Sequence, residues 1–304
     1  MLCVIIRHAH FMEIHKMKTS TEINSTSRII GEEKAIELIA KAGFDAWDLS
    51  MFDMARYDWA NKKVIHTDHP FASPSYAKFI KQLKQIGLDN GIICNQSHAP
   101  FPICCQEIKD LQKRAIECTA IAGGKHCIIH PDNNKSAEEN AEFYLSLIPF
   151  AKEHDVIICT ENMWNWDKEK NEASKAACSH HEDFVKHIDL VSSPYLAGCL
   201  DIGHAAMKGL NTSVKESILA LSHRLQALHI HDNDMWHDSH QIPFTMDIDF
   251  EEMVSALKQI NYKGYITLEA DSYLRAHGYN KDNVFEGVKN LANAARKIAN
   301  MFDN

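Results

Sequence analysis

The chain has 304 residues, 45% hydrophobic and 24% charged, the balance of a globular protein able to bury a sizeable core. A formal charge of −9 disfavours nucleic acid as a partner, because phosphate neutralisation asks for a basic excess. No apolar run reaches the roughly 18 residues needed to cross a bilayer, and the opening stretch lacks the length and basic lead of a secretory signal, so no membrane is implied.

Taken in chain order, Leu2–Ile6 is predicted as a first strand, followed by a helix over Gly31–Ala42. Strands at Ala46–Leu49, Gly91–Cys94, Cys127–Ile129 and Val156–Thr160 alternate with helical patterns at Ser73–Ile86, Glu107–Ala122 and Ala137–His154. The alternation continues with Glu182–Val191, then strands Leu196–Leu200, Leu225–Ile230 and Tyr265–Leu268 and helices Val214–Ser222, Phe250–Ile260 and Val284–Met301. The strands are short and apolar without a period of two, as in a parallel sheet covered on both faces. Ser136 with Glu139 has the spacing of a capping box, and Asp249 precedes the next-to-last helix in the same manner. Eight βα units predict an α/β fold, a single (β/α)8 TIM barrel over residues 1–304. The rival doubly wound sheet would carry a glycine-rich first turn, and none follows strand one.

Nine cysteines make an odd number without a CxxC pair. Cys94, Cys127, Cys159 and Cys199 fall inside strands, where a free thiol acts as a small hydrophobe, so the expected compartment is the cytoplasm. Arg56–His69 reads as a long loop over the barrel mouth, and the charged stretch 164–175 as a solvated excursion.

The residues that follow the strands carry the chemistry. Strand three runs into Asn95-Gln96-Ser97-His98, strand four into His130-Pro131-Asp132, and strand five into Thr160-Glu161-Asn162. Strand six gives Asp201-Ile202-Gly203-His204, strand seven His229-Ile230-His231-Asp232, and strand eight Glu269-Ala270-Asp271. In a barrel these ends converge on one rim, where ionisable groups cost desolvation energy unless they bind something. Any one of them is more often a helix cap or loop residue, but capping does not explain six in succession. Mixed carboxylate and imidazole suit a divalent ion such as Zn²⁺, Mn²⁺, Fe²⁺ or Co²⁺, and an all-oxygen set would favour Mg²⁺. His8 and His10, after strand one, either line the cavity or are solvated.

The segments CIIHPD, ICTENMW, GCLDIGHA, LHIHDND, HDSHQIP and ITLEAD, in this order and at these intervals, resemble the xylose isomerase-like, or sugar phosphate isomerase/epimerase, superfamily. That superfamily also contains endonuclease IV, inosose dehydratase and the ketose 3-epimerases. The resemblance implies one divalent metal ion, of unspecified identity and with room for more than one, held by Glu161, Asp201, His229 and Glu269. His231 is the fallback ligand, since it points the same way as His229. Endonuclease IV holds three zinc ions with nine side chains, and His98, His130, His204, Asp238 and His240 fall on the remaining motifs. In sugar-active members such positions bind substrate hydroxyls, and these five, with Trp164, are the expected substrate contacts. Trp164 and Trp166 either form an apolar wall or pack under the loops, and the same choice applies to Trp236. The loop after His240 departs from the superfamily's Pro-Gly-x-Gly, with Phe244 and Met246 expected to cover the cavity mouth.

The implied activity is a metal-dependent sugar isomerase or epimerase of carbohydrate metabolism, with Glu161 and Glu269 as the catalytic pair that removes and returns a proton. The alternatives are an inosose-dehydratase-like lyase and an endonuclease IV-like zinc phosphodiesterase. The implied partner is a small sugar or polyol, and assembly into a homo-oligomer is left open.

Overall fold

The computed structural model describes residues 16–303. Eight strands succeed one another around a barrel: β1 Thr19–Thr21, β2 Ala46–Ser50, β3 Ile93–His98, β4 His126–Ile128, β5 Ile157–Glu161, β6 Leu196–Asp201, β7 Leu225–His229 and β8 Ile266–Leu268. β2 to β7 form one continuous parallel sheet, and β1 pairs with β8 in parallel, Ser20 opposite Thr267. Bridges from Glu22 to Asp48 and from Ile230 to Leu268 close the ring. The fold is the TIM barrel that the alternation of elements predicts.

The predicted strand Leu2–Ile6, with His8 and His10, lies outside the described residues. The first barrel position belongs to Thr19–Thr21, which carries no apolar run. Its side chains are buried because their partners are polar: Ser20 Oγ donates to Asn95 Oδ1 at 2.6 Å, and Thr19 bonds Asp45.

Eight helices cover the outside: α1 Glu32–Ala42, α2 Tyr76–Asp89, α3 Gln112–Ala122, α4 Ala137–Glu153, α5 His181–Val191, α6 Val214–Leu221, α7 Phe250–Gln259 and α8 Val284–Asn300. In α8 the residues Val288, Leu291, Ala295 and Ile298 recur at helical spacing and are all buried. Ser136 and Glu139 form the full capping box of α4, and Asp249 accepts the amides of Glu251 and Glu252 at the start of α7. Between sheet and helices lies a core that includes Trp47, Leu49, Ile36, Ile39 and Leu83.

Inside the barrel the two halves differ. Along β4 to β7 the filling is apolar, with Ile128, Cys159, Ala197, Cys199 and Ala227 packed together. Along β8, β1, β2 and β3 it is a hydrogen-bonded polar layer of Thr267, Ser20, Asp48, Asn95 and Gln96. A register shift between Trp47 and Asp48 makes Asn95 an extra residue in β3, and this bulge is what turns both Asn95 and Gln96 inward.

Three loop expectations change. The stretch Arg56–His69 contains an antiparallel hairpin, Arg56–Asp58 with Lys63–Ile65, with Trp59 at its turn. The charged stretch 164–175 is likewise a hairpin, Asn165–Asp167 with Glu172–Ser174. It is anchored because Ala173 is buried against Met207 and Leu210, with Trp164 and Trp166 packed beside them. Phe244 does not cover the cavity mouth: it packs on Phe250, with the Lys297 ammonium 3.6 Å from its ring centre. Its φ of 72° keeps the backbone where the resembled loop has glycine. Met246 is exposed and does not line the cavity either, because Asp232 accepts the amides of Thr245, Met246 and Ile248 and fixes the loop away from it.

Candidate active site

Glu161, Asp201 and His229 are the last residues of β5, β6 and β7, and Glu269 directly follows β8. Parallel strands of a closed barrel end on one rim, so these four side chains meet, their donor atoms all within 4.8 Å of one another. Nδ1 of His229 lies 2.9 Å from Glu161 Oε1 and 3.2 Å from Glu269 Oε2. Asp201 and His229 are fully buried, whereas Glu161 and Glu269 reach the cavity above.

Two further donor groups flank this one. His98, at the end of β3, and His130, after β4, face Glu161 Oε2 at 3.7 and 3.1 Å. On the other side Asp201, His204, His231 and His240 converge. Asp238 lies against them, 3.3 Å from His204 Nε2 and 3.1 Å from His240 Nε2. Glu161 thus belongs to two groups and Asp201 to two, so the whole forms one continuous array of carboxylates and imidazoles. His231 points inward as strand alternation requires, with Nε2 3.1 Å from Asp201 Oδ1 and its ring stacked on His240 at 3.9 Å. Gly203 leaves the room it occupies: a Cβ there would overlap the His231 imidazole.

Above the array lies a cavity of about 440 Å³. His98, His130, His204, Asp238, His240 and Trp164, the expected substrate contacts, all line it. Its lining is partly aromatic, with Phe52 and Phe101 packed edge to face, Trp164 beside His204, and Trp59. Phe101 stacks on His130, with ring centres 4.8 Å apart. Trp166 turns away to stack on His237, and Trp236 sits beneath Lys208 at the surface. Among the described residues, none that lines the cavity is lysine or arginine.

Burial alone would raise every carboxylate here, but the imidazoles decide otherwise for most. His229 and His130 hold the Glu161 carboxyl well below the usual range. His204 and His231 bring Asp201 down to about 2, and His240 and His204 hold Asp238 well below its ordinary value. The converse holds for His204, where Asp201 and Asp238 outweigh burial and push it up to about 10. Glu269 is the exception: burial dominates and raises it well above the carboxylate range. His98 goes down through burial and the neighbouring His130.

Sequence reading misses three residues around this array. Asp48, fully buried, lies 3.4 Å from His229 Nε2, but it sits within strand two and not after it. Glu22 follows the overlooked β1, bonds Ser25, and is raised to about 7 by burial and then by Asp271. Phe101 joins the lining three residues after His98, in HAPF, where only its proximity to the histidine gives a signal.

No helix among the described residues is long and apolar enough to cross a membrane. The structure superposes on an IOLI protein with a binding zinc atom at a TM-score of 0.70 and 16% identity, over 94% of this chain and 99% of that one. A D-tagatose 3-epimerase-like protein superposes at 0.64 with 20% identity, over 93% and 98%. At these identities the likeness shows the fold. An uncharacterized protein of Methanocaldococcus jannaschii, MJ1311, is 25% identical over 255 residues, 77% of this chain and 78% of that one. The xylose isomerase-like TIM barrel profile matches residues 36–296, nearly the whole barrel with its rim, and the chain belongs to that family.

Proposed function

We propose that this protein is a divalent-metal-dependent isomerase or epimerase of a sugar or related polyol, working by proton abstraction next to a carbonyl. The observation that carries the reading is the convergence of Glu161, Asp201, His229 and Glu269 at the floor of a cavity of sugar size. The donors fit a cation. Asp201 Oδ2 is sealed from water and has no hydrogen-bond partner among the described residues, which leaves a buried carboxylate oxygen in the array unsatisfied. Such buried acceptors are costly unless a positive charge meets them. The solved neighbours named for epimerases of ketoses, and the one named with zinc, lend the same direction.

A divalent ion held there by Glu161, Asp201, His229 and Glu269 would polarise the substrate carbonyl and its neighbouring hydroxyl, which acidifies the adjacent C–H. Glu161, kept ionised by His130 and His229, accepts that proton. Glu269, holding the ion through one oxygen, returns a proton through the other. Two carboxyl groups whose environments push them apart are the arrangement that acid–base catalysis needs. His204 and His240 face the cavity beside Asp238 and bind substrate hydroxyls. The aromatic lining takes the C–H face of the sugar, and a cavity to which the described residues bring no lysine or arginine suits an uncharged substrate.

The test is solvent exchange. The metal-loaded protein, incubated in D₂O with a panel of ketoses and inososes, is expected to place deuterium on the carbon next to the carbonyl of one of them. A dehydratase would show the same abstraction followed by loss of water from the product. Failure to exchange deuterium into any member of the panel would sink the reading.

A second reading rests on one observation: the array offers donors beyond four. His98 and His130 with Glu161, and His204 and His240 with Asp238, could hold further ions, as a zinc phosphodiesterase of the endonuclease IV type requires. Metal per chain separates the two. About one ion supports the sugar enzyme, and three zincs support the phosphodiesterase.

A further inference from the structure

Beneath the rim, the polar half of the barrel interior ends against one histidine. Asp48 in β2 is 1% exposed, and its Oδ2 lies 3.4 Å from Nε2 of His229, which is 0% exposed. The opposite ring nitrogen, Nδ1, is the one that faces Glu161 and Glu269. Neither Nε2 nor Asp48 Oδ1 has a hydrogen-bond partner among the described residues, so the ring nitrogen is left facing a carboxylate with acceptor capacity to spare. A buried carboxylate is costly even with one hydrogen bond, and it is retained where its charge is answered.

The carboxylate does not drift, because a chain of amides and hydroxyls fixes it. Gln96 Nε2 donates to Asp48 Oδ2 at 2.9 Å. Gln96 Oε1 in turn accepts from Thr267 Oγ1 at 3.2 Å and from Asn95 Nδ2 at 3.2 Å, and Asn95 Oδ1 accepts from Ser20. Four residues on β1, β3 and β8 thus hold one oxygen of Asp48 in place below a ring on β7. The bulge at Asn95 is what aims Gln96 at Asp48.

We infer that Asp48 is the positioning residue of the metal centre, accepting the Nε2–H of His229 so that the Nδ1 lone pair is the one presented to the ion. The inference rests on the metal reading proposed above and adds the ligand atom, the tautomer and the residue that sets both. A carboxylate behind a ligating imidazole fixes the ring and raises its basicity, and loss of such a partner weakens metal binding by about 10- to 100-fold. Asp48 touches no substrate, since it is absent from the cavity lining. Gln96 acts one step further back.

The experiment compares wild type, Asp48→Asn and Gln96→Met, each as the full chain, for Zn²⁺ affinity by chelator competition and for the His229 imidazole by ¹H–¹⁵N NMR of the zinc-loaded protein. Wild type is expected to show Nε2 protonated and Nδ1 bound to metal. Asp48→Asn is expected to bind Zn²⁺ about 10- to 100-fold more weakly and to lose the protected Nε2–H resonance. Gln96→Met keeps the carboxylate, so a smaller loss in the same direction is expected, and it stands in if Asp48→Asn does not fold. Wild-type zinc affinity and an unchanged imidazole spectrum in the folded variants would overturn the inference and leave the metal reading standing. A wild type that binds Zn²⁺ through Nε2 would do the same. A wild type that takes up no Zn²⁺ would overturn both together.

Discussion

Glu161 and Glu269 share one ring nitrogen, Nδ1 of His229, at 2.9 and 3.2 Å, yet their surroundings push them in opposite directions. Without metal, burial raises both, but His229 and His130 outweigh it at Glu161 and hold that carboxyl well below its usual range, whereas burial prevails over the histidines beside Glu269. The first prediction follows from that asymmetry. Glu161→Gln and Glu269→Gln should each lower kcat by about 10²- to 10⁴-fold, the usual worth of a positioned acid or base. Circular dichroism should show both folded, and full activity in either would remove it from the chemistry.

Without metal, stability should depend on pH in a stated window. His204 is raised from 6.5 to about 10, so its contribution is complete below pH 6.5 and is lost as pH climbs through 10. Asp201 is lowered from 3.8 to about 2, so its contribution is present above pH 3.8 and is lost as pH falls through 2. The metal-free protein should therefore be most resistant to urea between about pH 4 and 6.5, and its unfolding midpoint should fall on going to pH 9. A midpoint that rises over that alkaline interval would contradict the charge pairing.

Metal should shift that optimum upward. Against its burial, Cys199 and then Glu269 and Glu161 raise His229 well above its ordinary value, and a ligating imidazole must shed its proton. Zn²⁺ affinity should accordingly increase from pH 6 to pH 8, with proton release measurable by calorimetry in two buffers of different ionisation enthalpy. At free metal near 100 times Kd the folded state should gain about 2.7 kcal/mol, and chelation should remove it.

Gly203→Ala tests the packing of the third donor group. The new methyl group would overlap the His231 ring, which cannot retreat because it is stacked on His240. Overpacking of this kind costs about 1–3 kcal/mol, read as a lower urea midpoint in the metal-free protein. An unaltered midpoint would mean that the imidazole has somewhere else to go.

Trp164→Ala tests the aromatic lining. Aromatic contacts contribute about 0.5–1.5 kcal/mol beyond buried area, so KM should rise by roughly 2- to 12-fold with kcat little changed. Trp166→Ala, which packs against His237 and away from the cavity, should leave KM where it was.

The barrel was legible because helices α1 to α8 keep their apolar period and seven of the strands are apolar runs flanked by turns. β1 was not, since Thr-Ser-Thr is buried by hydrogen bonds and leaves no hydrophobic trace. The rim residues could be read because they follow strands that are themselves readable. Asp48 and Gln96 could not, since they lie inside strands, and only the register shift opposite Trp47 turns Gln96 toward Asp48. The pairing of Trp166 with Ala173 across a hairpin was hidden for a related reason: the charges of stretch 164–175 mask one buried alanine.

The polar half of the barrel interior also bears on how the chain is made. Asn95 and Gln96 reach their partner Thr267 only when β8 has been placed beside β1, across a separation of 247 residues from Thr19 to Ile266. Until then a nascent chain carries an amide and a carboxylate that want water, inside a sheet that otherwise wants to exclude it. Late closure is therefore written into this side of the barrel. The apolar arc of β4 to β7 can assemble from neighbours as they emerge, and the final strand acts as the keystone that dries the remainder.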